Sequence, residues 1–240
     1  MKIVRRSFNS FGAIKLLSAC SIVNRIFAYN VCILLIYIHK TNVDDKETLV
    51  NCVKDLYRMG LTSPVSGNHS IRIQNKKWMW ITPSGIPRYN LREEDLVKVH
   101  LETGKTFGRL TPSIEWYMHV SIYKKLGKVN AIVHTHGPYT LGIAISVIKF
   151  RQIIEEAKIV VGNPVIIPNK PSGSTELANI VSEAFRNSGD KIRAVIIRNH
   201  GVVAVGTNIH QARAVVEALE EWAKILTISK IFGGPKYKID

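Results

Sequence analysis

The irregular order of strand-like and helix-like segments is the feature that most restricts the fold of this chain. Two hairpin patterns come early: the segment at 71–85 has a turn near Asn75, and the segment at 95–108 has a turn at Gly104. Later strand patterns are interspersed with amphipathic helical patterns, whereas βαβ winding would require regular alternation. The sequence therefore predicts an α/β, or α+β-like, fold with a central, mostly antiparallel β-sheet flanked by helices.

Two of the helical segments have clear boundaries. The segment at 44–60 opens with acidic residues, carries Leu49, Val53 and Leu56 on one face and stops at a glycine. The segment at 111–127 is expected to begin with Thr111 as its N-cap and a proline at the first helical position.

The N-terminal residues differ in composition from the rest of the chain. Residues 1–43 contain six Lys or Arg and no acidic residue, so they supply +6 of the net charge of +15 and leave +9 for residues 44–240. The apolar run at 26–39 is shorter than the ~20 residues needed to span a bilayer. We therefore expect an extension of unknown role at 1–43, a folded domain at 44–240 and no membrane association.

The positive charge suits either nucleic acid or phosphorylated small molecules. The sequence has no zinc knuckle, RNP signature, helix-turn-helix pattern or compact Lys/Arg cluster, and we therefore expect no nucleic-acid partner. Three cysteines, an odd number without a CxxC pair, indicate a reducing compartment, and hence the cytoplasm; they are Cys20, Cys32 and Cys52.

Three histidines have the spacing and setting of metal ligands. His134 and His136 follow an apolar run, and alternate residues of a strand share a face, so both rings could meet one ion. His200 lies at a strand end beside a glycine and could supply a third ligand; the alternative is a hydrogen bond within a turn. Three histidines with one open position form a plausible catalytic zinc site.

Glu115 is the candidate for proton transfer. At the start of its helix it could simply complement the helix dipole. Alternatively, it could move a carbon-bound proton that is acidified by a nearby metal ion.

Small residues in turns indicate a place for phosphate. Such turns can offer free backbone N–H groups to phosphate oxygens, although each of them alone could be an ordinary turn. The residues concerned are Gly67, Asn68, Ser84, Gly85 and Ser113, the last of which is expected at a helix N-terminus.

Taken together, the motifs resemble the class II aldolase/adducin family. They are SGNHSIRI, WITPSGIP, LREEDLVKV, TPSIEWYMHVSIY, VNAIVHTHGPYT and IIRNHGVVAVG, and they share the order and spacing of that family between about residues 44 and 233. The resemblance implies the family fold, usually a homotetramer with active sites between subunits. It also implies Zn²⁺ bound by His134, His136 and His200, Glu115 as acid/base and zinc ligand, and the five turn residues around a substrate phosphate. His119, one helical turn after Glu115, is expected to support the site without binding metal.

The implied activity is zinc-dependent cleavage of a sugar 1-phosphate into dihydroxyacetone phosphate and an aldehyde. The metal would serve as the electron sink, so no Schiff-base lysine is required. Two positions depart from the family pattern: Ile114 replaces a frequent small hydroxyl residue, and Lys158 lies near the place of an epimerase aspartate. The alternatives are a metal-dependent dehydratase or epimerase acting on a phosphorylated ketose, and an adducin-like binding module without catalysis.

Overall fold

A single β-sheet forms the middle of the domain. The computed structural model describes residues 45–73, 77–146, 148–237 and 239. The predicted extension at 1–43 lies outside these residues. The strands are β1 (Asn68–Arg72), β2 (Trp78–Ile81), β3 (Val97–His100), β4 (Thr106–Phe107), β5 (Ala131–Thr135), β6 (Val165–Ile167), β7 (Ala194–Ile197) and β8 (Gly201–Gly206).

The sheet is mostly antiparallel, as predicted. Its strands are ordered β4-β3-β2-β1-β5-β8-β7-β6, and among the described strands only β6 and β7 pair in parallel. Both predicted strand pairings are present, β1–β2 and β3–β4, and the predicted turn near Asn75 lies outside the described residues. In this order β5 and β8 lie side by side near the centre of the sheet. The candidate metal ligands lie in these two strands or directly beside their ends.

Helices cover both faces of the sheet. They are α1 (Asp45–Arg58), α2 (Trp116–Lys125), α3 (Pro138–Ile145), α4 (Glu155–Val160), α5 (Thr175–Ser188) and α6 (Ile209–Ile231). One core lies under α1 and α6 and contains Val133 and Trp222, and the other lies under α2 and α5 and contains Ile132 and Phe185. Neighbouring residues of β5 thus enter opposite cores, as the alternation of a strand requires.

The predicted start of α2 is wrong. The helix begins at Trp116, not at the Thr111–Pro112 pair, and Glu115 occupies the N-cap position. The preceding residues pair instead with the turn after β2, where the Ser113 N–H donates to the Thr82 carbonyl oxygen at 3.1 Å. This pairing holds the segment extended and brings it, with Glu115, against the sheet.

The described helices include one that the sequence patterns did not predict, α4 at Glu155–Val160. None of the described helices combines the length and the apolar character needed to cross a membrane.

Candidate active site and metal centre

Three histidines converge where β5 and β8 meet. His134 is in β5, His136 lies just beyond the end of that strand, and His200 immediately precedes β8. Because the two strands are antiparallel, the end of β5 lies beside the start of β8. The ring centroids are 4.9, 5.0 and 5.4 Å apart.

The donor atoms of these histidines fit a metal ion. One ring nitrogen of each lies within 4.8 Å of the others, and the Nε2 atoms of His134 and His136 are 3.1 Å apart. Two nitrogens bound tetrahedrally at about 2.0–2.1 Å from zinc would lie roughly 3.3 Å from each other. The Val202 carbonyl oxygen accepts a hydrogen bond from His134 Nδ1 at 2.9 Å, which leaves the Nε2 lone pair available to an ion. The cluster is therefore able to hold a metal ion.

Gly201 allows the three rings to come together. A Cβ added there would lie 2.5 Å from the Thr135 carbonyl oxygen and 2.8 Å from His134 Cε1. We therefore expect Gly201→Ala to separate the three rings and to weaken binding of added Zn²⁺, used as the probe ion, by at least about tenfold, measured by competition with a chelator of known affinity. The control is Gly142→Ala in α3, where an added Cβ meets no atom within 4 Å. Unchanged zinc affinity in folded Gly201→Ala would contradict this role.

Glu115 faces the histidines from the start of α2. Its side chain is buried, with Oε2 at 3.2 Å from His134 Nε2 and Oε1 at 3.3 Å from His200 Nε2. Asn68 Nδ2 donates to Oε2 at 2.8 Å, whereas Oε1 has no hydrogen-bond partner among the described residues. A buried carboxylate oxygen without a donor is suited to receive a proton or an ion.

The surroundings shift the pKa values of these groups. Burial by itself would raise the pKa of Glu115, but the neighbouring His134 ring and the hydrogen bond from Asn68 outweigh burial and hold that pKa below its usual range. Burial, with His134 and His200, lowers the pKa of His136 to about 3. Burial likewise lowers the pKa of His200. Carboxylates and neutral imidazoles are the protonation states that bind divalent metals.

A chain of hydrogen bonds runs from Glu115 into the core. Asn68, which donates to Glu115, accepts from His119 Nε2 at 2.7 Å through its Oδ1. This assignment leaves His119 Nδ1 to accept from the Ser70 hydroxyl at 2.7 Å, and Tyr123 lies 2.8 Å from the same hydroxyl. Burial lowers the pKa of His119 to about 3, which keeps its ring neutral. Each member therefore fixes the orientation of its neighbour, and Asn68, which lies next to Glu115, holds the carboxylate.

The residues predicted to hold phosphate line one pocket together with the metal cluster. The pocket has a volume of about 230 Å³, and Glu115, His136 and His200 contribute to its wall. All five predicted residues are also in that wall: Gly67, Asn68, Ser84, Gly85 and Ser113. His134 is fully buried beside the pocket.

Two of the N–H groups expected to meet phosphate are already used within the protein. The Ser84 N–H donates to the Thr111 carbonyl oxygen at 3.1 Å, and the Ser113 N–H donates to Thr82. The Ser84 hydroxyl donates to the Pro112 carbonyl oxygen at 3.0 Å. The prediction of free backbone N–H groups is therefore wrong for these two serines, because their turns are hydrogen-bonded to each other.

Other N–H groups of the same turns remain available. Those of Gly67, Gly85 and Ile114 have no acceptor among the described residues. Gly67 has a φ of +71°, and a Cβ there would lie 2.6 Å from the His134 carbonyl oxygen, so the close approach of this turn to β5 requires glycine. Ile114 lacks the hydroxyl frequent in the family, but its free N–H offers a donor at the same place.

The pocket wall also contains residues that were not predicted from the sequence, among them Arg88 and Ser172. Ser172 precedes Gly173, where a Cβ would lie 2.9 Å from the Ile114 carbonyl oxygen, so this loop lies against the turn that carries Glu115. One sequence signal pointed to it: the tripeptide Pro-Ser-Gly occurs both at 83–85 and at 171–173.

Comparison with known proteins identifies the family. Residues 47–227 match the family described as "Class II Aldolase and Adducin N-terminal domain". The chain is 33% identical over 192 residues to a 5-deoxy-D-ribulose 1-phosphate aldolase of Bacillus thuringiensis, covering 80% of this chain and 88% of that protein. It is 37% identical over 180 residues to an L-fuculose phosphate aldolase of Methanococcus maripaludis, covering 74% and 94%. The chain therefore belongs to the class II aldolase and adducin family and is one of its enzymes, a lyase.

A solved structure supports the same assignment. The chain superimposes on an L-fuculose 1-phosphate aldolase with a TM-score of 0.72 and 32% identity, covering 83% of this chain and 92% of the other. The expected class II aldolase/adducin fold is thus confirmed, and the alternative of a binding module without catalysis is not supported.

Proposed function

We propose that this protein is a zinc-dependent aldolase that cleaves a sugar 1-phosphate of the L-fuculose 1-phosphate type into dihydroxyacetone phosphate and an aldehyde. The observation that carries the proposal is one small pocket whose wall contains two of the three clustered histidines, a buried carboxylate and turns with free N–H groups. The names of the two relatives described above, both aldolases of sugar phosphates, favour the same reaction.

His134, His136 and His200 would hold the zinc ion, and Glu115 would be a fourth ligand until the substrate arrives. Zinc, when bound, would act as a Lewis acid that polarises the ketose carbonyl and offsets the negative charge that develops as the carbon–carbon bond breaks. None of the described residues lining the pocket is a lysine, which favours metal chemistry over a Schiff base.

Glu115 would transfer the proton. Its Oε1 is free of donors while Asn68 holds Oε2, so one oxygen can exchange a proton without loss of the orienting hydrogen bond. In the cleavage direction the hydroxyl that becomes the aldehyde loses its proton as the carbon–carbon bond breaks. The ionised Glu115 carboxylate would accept that proton and deliver it to the carbon that retains the bonding electrons. In the condensation direction it would remove that proton.

The phosphate would lie against the turns at 66–68, 83–85 and 113–114. The free N–H groups of Gly67, Gly85 and Ile114 would donate to its oxygens. Ser84, Ser113 and Asn68 also line this part of the pocket. The anchor would place the reacting carbons beside the histidines and Glu115, because all of these groups share one pocket.

The test of this function is a panel of ketose phosphates: L-fuculose 1-phosphate, L-rhamnulose 1-phosphate, 5-deoxy-D-ribulose 1-phosphate and L-ribulose 5-phosphate. We expect release of dihydroxyacetone phosphate from at least one sugar 1-phosphate, loss of activity in EDTA and recovery with Zn²⁺ rather than with Mg²⁺. A product with an intact carbon skeleton would favour an epimerase or dehydratase. Absence of any EDTA-sensitive reaction would refute the proposed function.

We also propose a homotetramer with active sites between subunits, located in the cytoplasm. The end of α6 and the residue that follows it support self-association, because Ile228, Ile231 and Phe232 are exposed on the surface of the single chain. Light scattering coupled to gel filtration would measure the mass of the assembly, and a monomer at micromolar concentration would contradict this part of the proposal.

Asn68→Asp tests whether the chain of hydrogen bonds orients Glu115. The substitution preserves shape but puts a second carboxylate 2.8 Å from Glu115 in place of a donor. We expect kcat/KM to fall by about 10–100-fold at saturating zinc. The matched control is Asn90→Asp, which adds the same charge at an exposed position. A rate equal to that of the control would show that Asn68 does not position the carboxylate.

A further inference from the structure

Arg88 lies beneath both turns of the predicted phosphate site. It starts the short 3-10 helix at Arg88–Asn90, directly after the turn at 83–85, and is only 2% exposed. All five of its side-chain N–H groups donate to backbone carbonyl oxygens. The acceptors are Ser66 from Nε (3.2 Å), Pro83 and Ile86 from Nη1 (3.3 and 3.4 Å), and Val65 and Gly67 from Nη2 (3.3 and 2.6 Å).

These bonds fix the direction of the peptide groups in the two turns. The N–H and C=O of one trans peptide unit point in opposite directions. The Ser66 carbonyl points to Arg88, so the N–H of Gly67, which belongs to the same peptide unit, points away from the guanidinium. Arg88 thereby joins the turn at 65–67 to the turn at 83–86 and keeps a free donor directed away from itself.

The charge of Arg88 has no counterpart in the described residues. No described carboxylate forms an ion pair with it, although a buried cation is costly unless it is paired. Burial lowers the pKa of Arg88 to about 10, so it stays protonated at neutral pH. The five carbonyls satisfy its hydrogen bonds but leave a full positive charge in the wall of the pocket.

We propose that Arg88 is a positioning residue for the substrate phosphate: it holds the two turns in place and supplies the positive charge that the phosphate dianion neutralises. Because its donors are all occupied, it acts through the turns and through its field, not by touching the phosphate. This inference rests on the proposed function for the identity of the ligand, a phosphate monoester, but assigns a role to a residue outside the metal cluster.

Binding of inorganic phosphate tests this role without any reaction. The full-length, zinc-loaded protein would be titrated with phosphate by calorimetry, after measurement of zinc content and melting temperature in each variant. We expect Arg88→Gln to weaken phosphate binding by about tenfold or more, because it removes the charge and most of the donors. Arg88→Lys keeps the charge but cannot bond five carbonyls, so its loss should be smaller than that of glutamine but at least about threefold.

Arg92→Gln is the matched control, since Arg92 is largely exposed and only 3.7 Å from its partner Glu94, and it should bind phosphate like the wild type. In steady-state assays Arg88→Gln should raise KM for the sugar phosphate and change kcat much less. Phosphate affinity within twofold of wild type in either folded Arg88 variant would overturn the inference. If Arg88→Gln does not fold, the phosphate affinity of Arg88→Lys alone tests the inference.

The two proposals can fail separately. A wild type that binds phosphate in an Arg88-dependent manner, yet cleaves no ketose phosphate, would support the inference and refute the aldolase function. Cleavage by the wild type together with unchanged phosphate affinity in the Arg88 variants would support the aldolase function and refute the role of Arg88.

Discussion

Glu115→Gln is expected to lower kcat/KM for cleavage by about 10²–10⁴-fold, the range associated with loss of a general acid/base. Glutamine keeps the shape of the side chain and can still meet Asn68, but it cannot exchange a proton. The carboxylate is buried, and its Oε1 has no hydrogen-bond partner among the described residues. Single-turnover kinetics with the sugar phosphate at saturating zinc would measure the chemical step directly.

Glu102→Gln is the control for this experiment, because Glu102 is 73% exposed and 3.8 Å from its partner Lys124.

The zinc content of Glu115→Gln separates the two roles proposed for Glu115, proton transfer and metal binding. A variant with full zinc and a large loss of rate supports proton transfer, whereas reduced zinc affinity shows that the carboxylate is also needed as a ligand. Wild-type turnover in Glu115→Gln would exclude both roles.

Local sequence patterns were sufficient for many of the secondary-structure elements. Leu49, Val53 and Leu56 recur at helical spacing, and all three are fully buried on the inner face of α1. Gly104 marks the β3–β4 turn and has a φ of +69°, which glycine adopts at little cost. Such signals act over a few residues, and neither the packing of the sheet nor the neighbouring helices had to be known to interpret them.

The start of α2 shows where local signals fail. Thr111 followed by Pro112 satisfies the usual rules for a helix N-terminus. In the folded protein these residues bridge to the turn after β2, which lies about thirty residues earlier in the sequence. The tertiary hydrogen bonds outweigh the local preference, and the result places Glu115 at the N-cap, where it faces the histidines.

The reactive side chains of the candidate site could be predicted from the sequence better than the residues that hold them in place. Histidine and glutamate are recognisable by residue type, and the three histidines and Glu115 do lie together. The contacts that hold them join distant parts of the chain: Asn68 and His119 are 51 positions apart, and Arg88 and Gly67 are 21 apart. A single sequence carries no local pattern for such pairs, so the buried role of Arg88 emerged only from the fold.

His136→Ala is expected to abolish stoichiometric zinc binding and to reduce kcat/KM by about 10²–10⁴-fold, since metal catalysis contributes several kcal/mol. His136 is the ligand best suited to this test, because it lies beyond the end of β5 and is half-buried, whereas His134 is fully buried in the strand. Loss of one of three imidazoles leaves the ion with His134, His200 and the Glu115 carboxylate, and the proposed function has the substrate displace that carboxylate, so too few protein ligands remain during turnover.

The melting temperature provides a second measurement that does not depend on activity. Zinc at 100 times its Kd should stabilise the wild type by about 2.7 kcal/mol, because it binds the folded state, and should stabilise His136→Ala much less. His210→Ala, at an exposed position in the first turn of α6, is the matched control and should respond to zinc like the wild type. Equal stabilisation of His136→Ala and the control would show that the ion binds elsewhere, and the three-histidine centre would have to be abandoned.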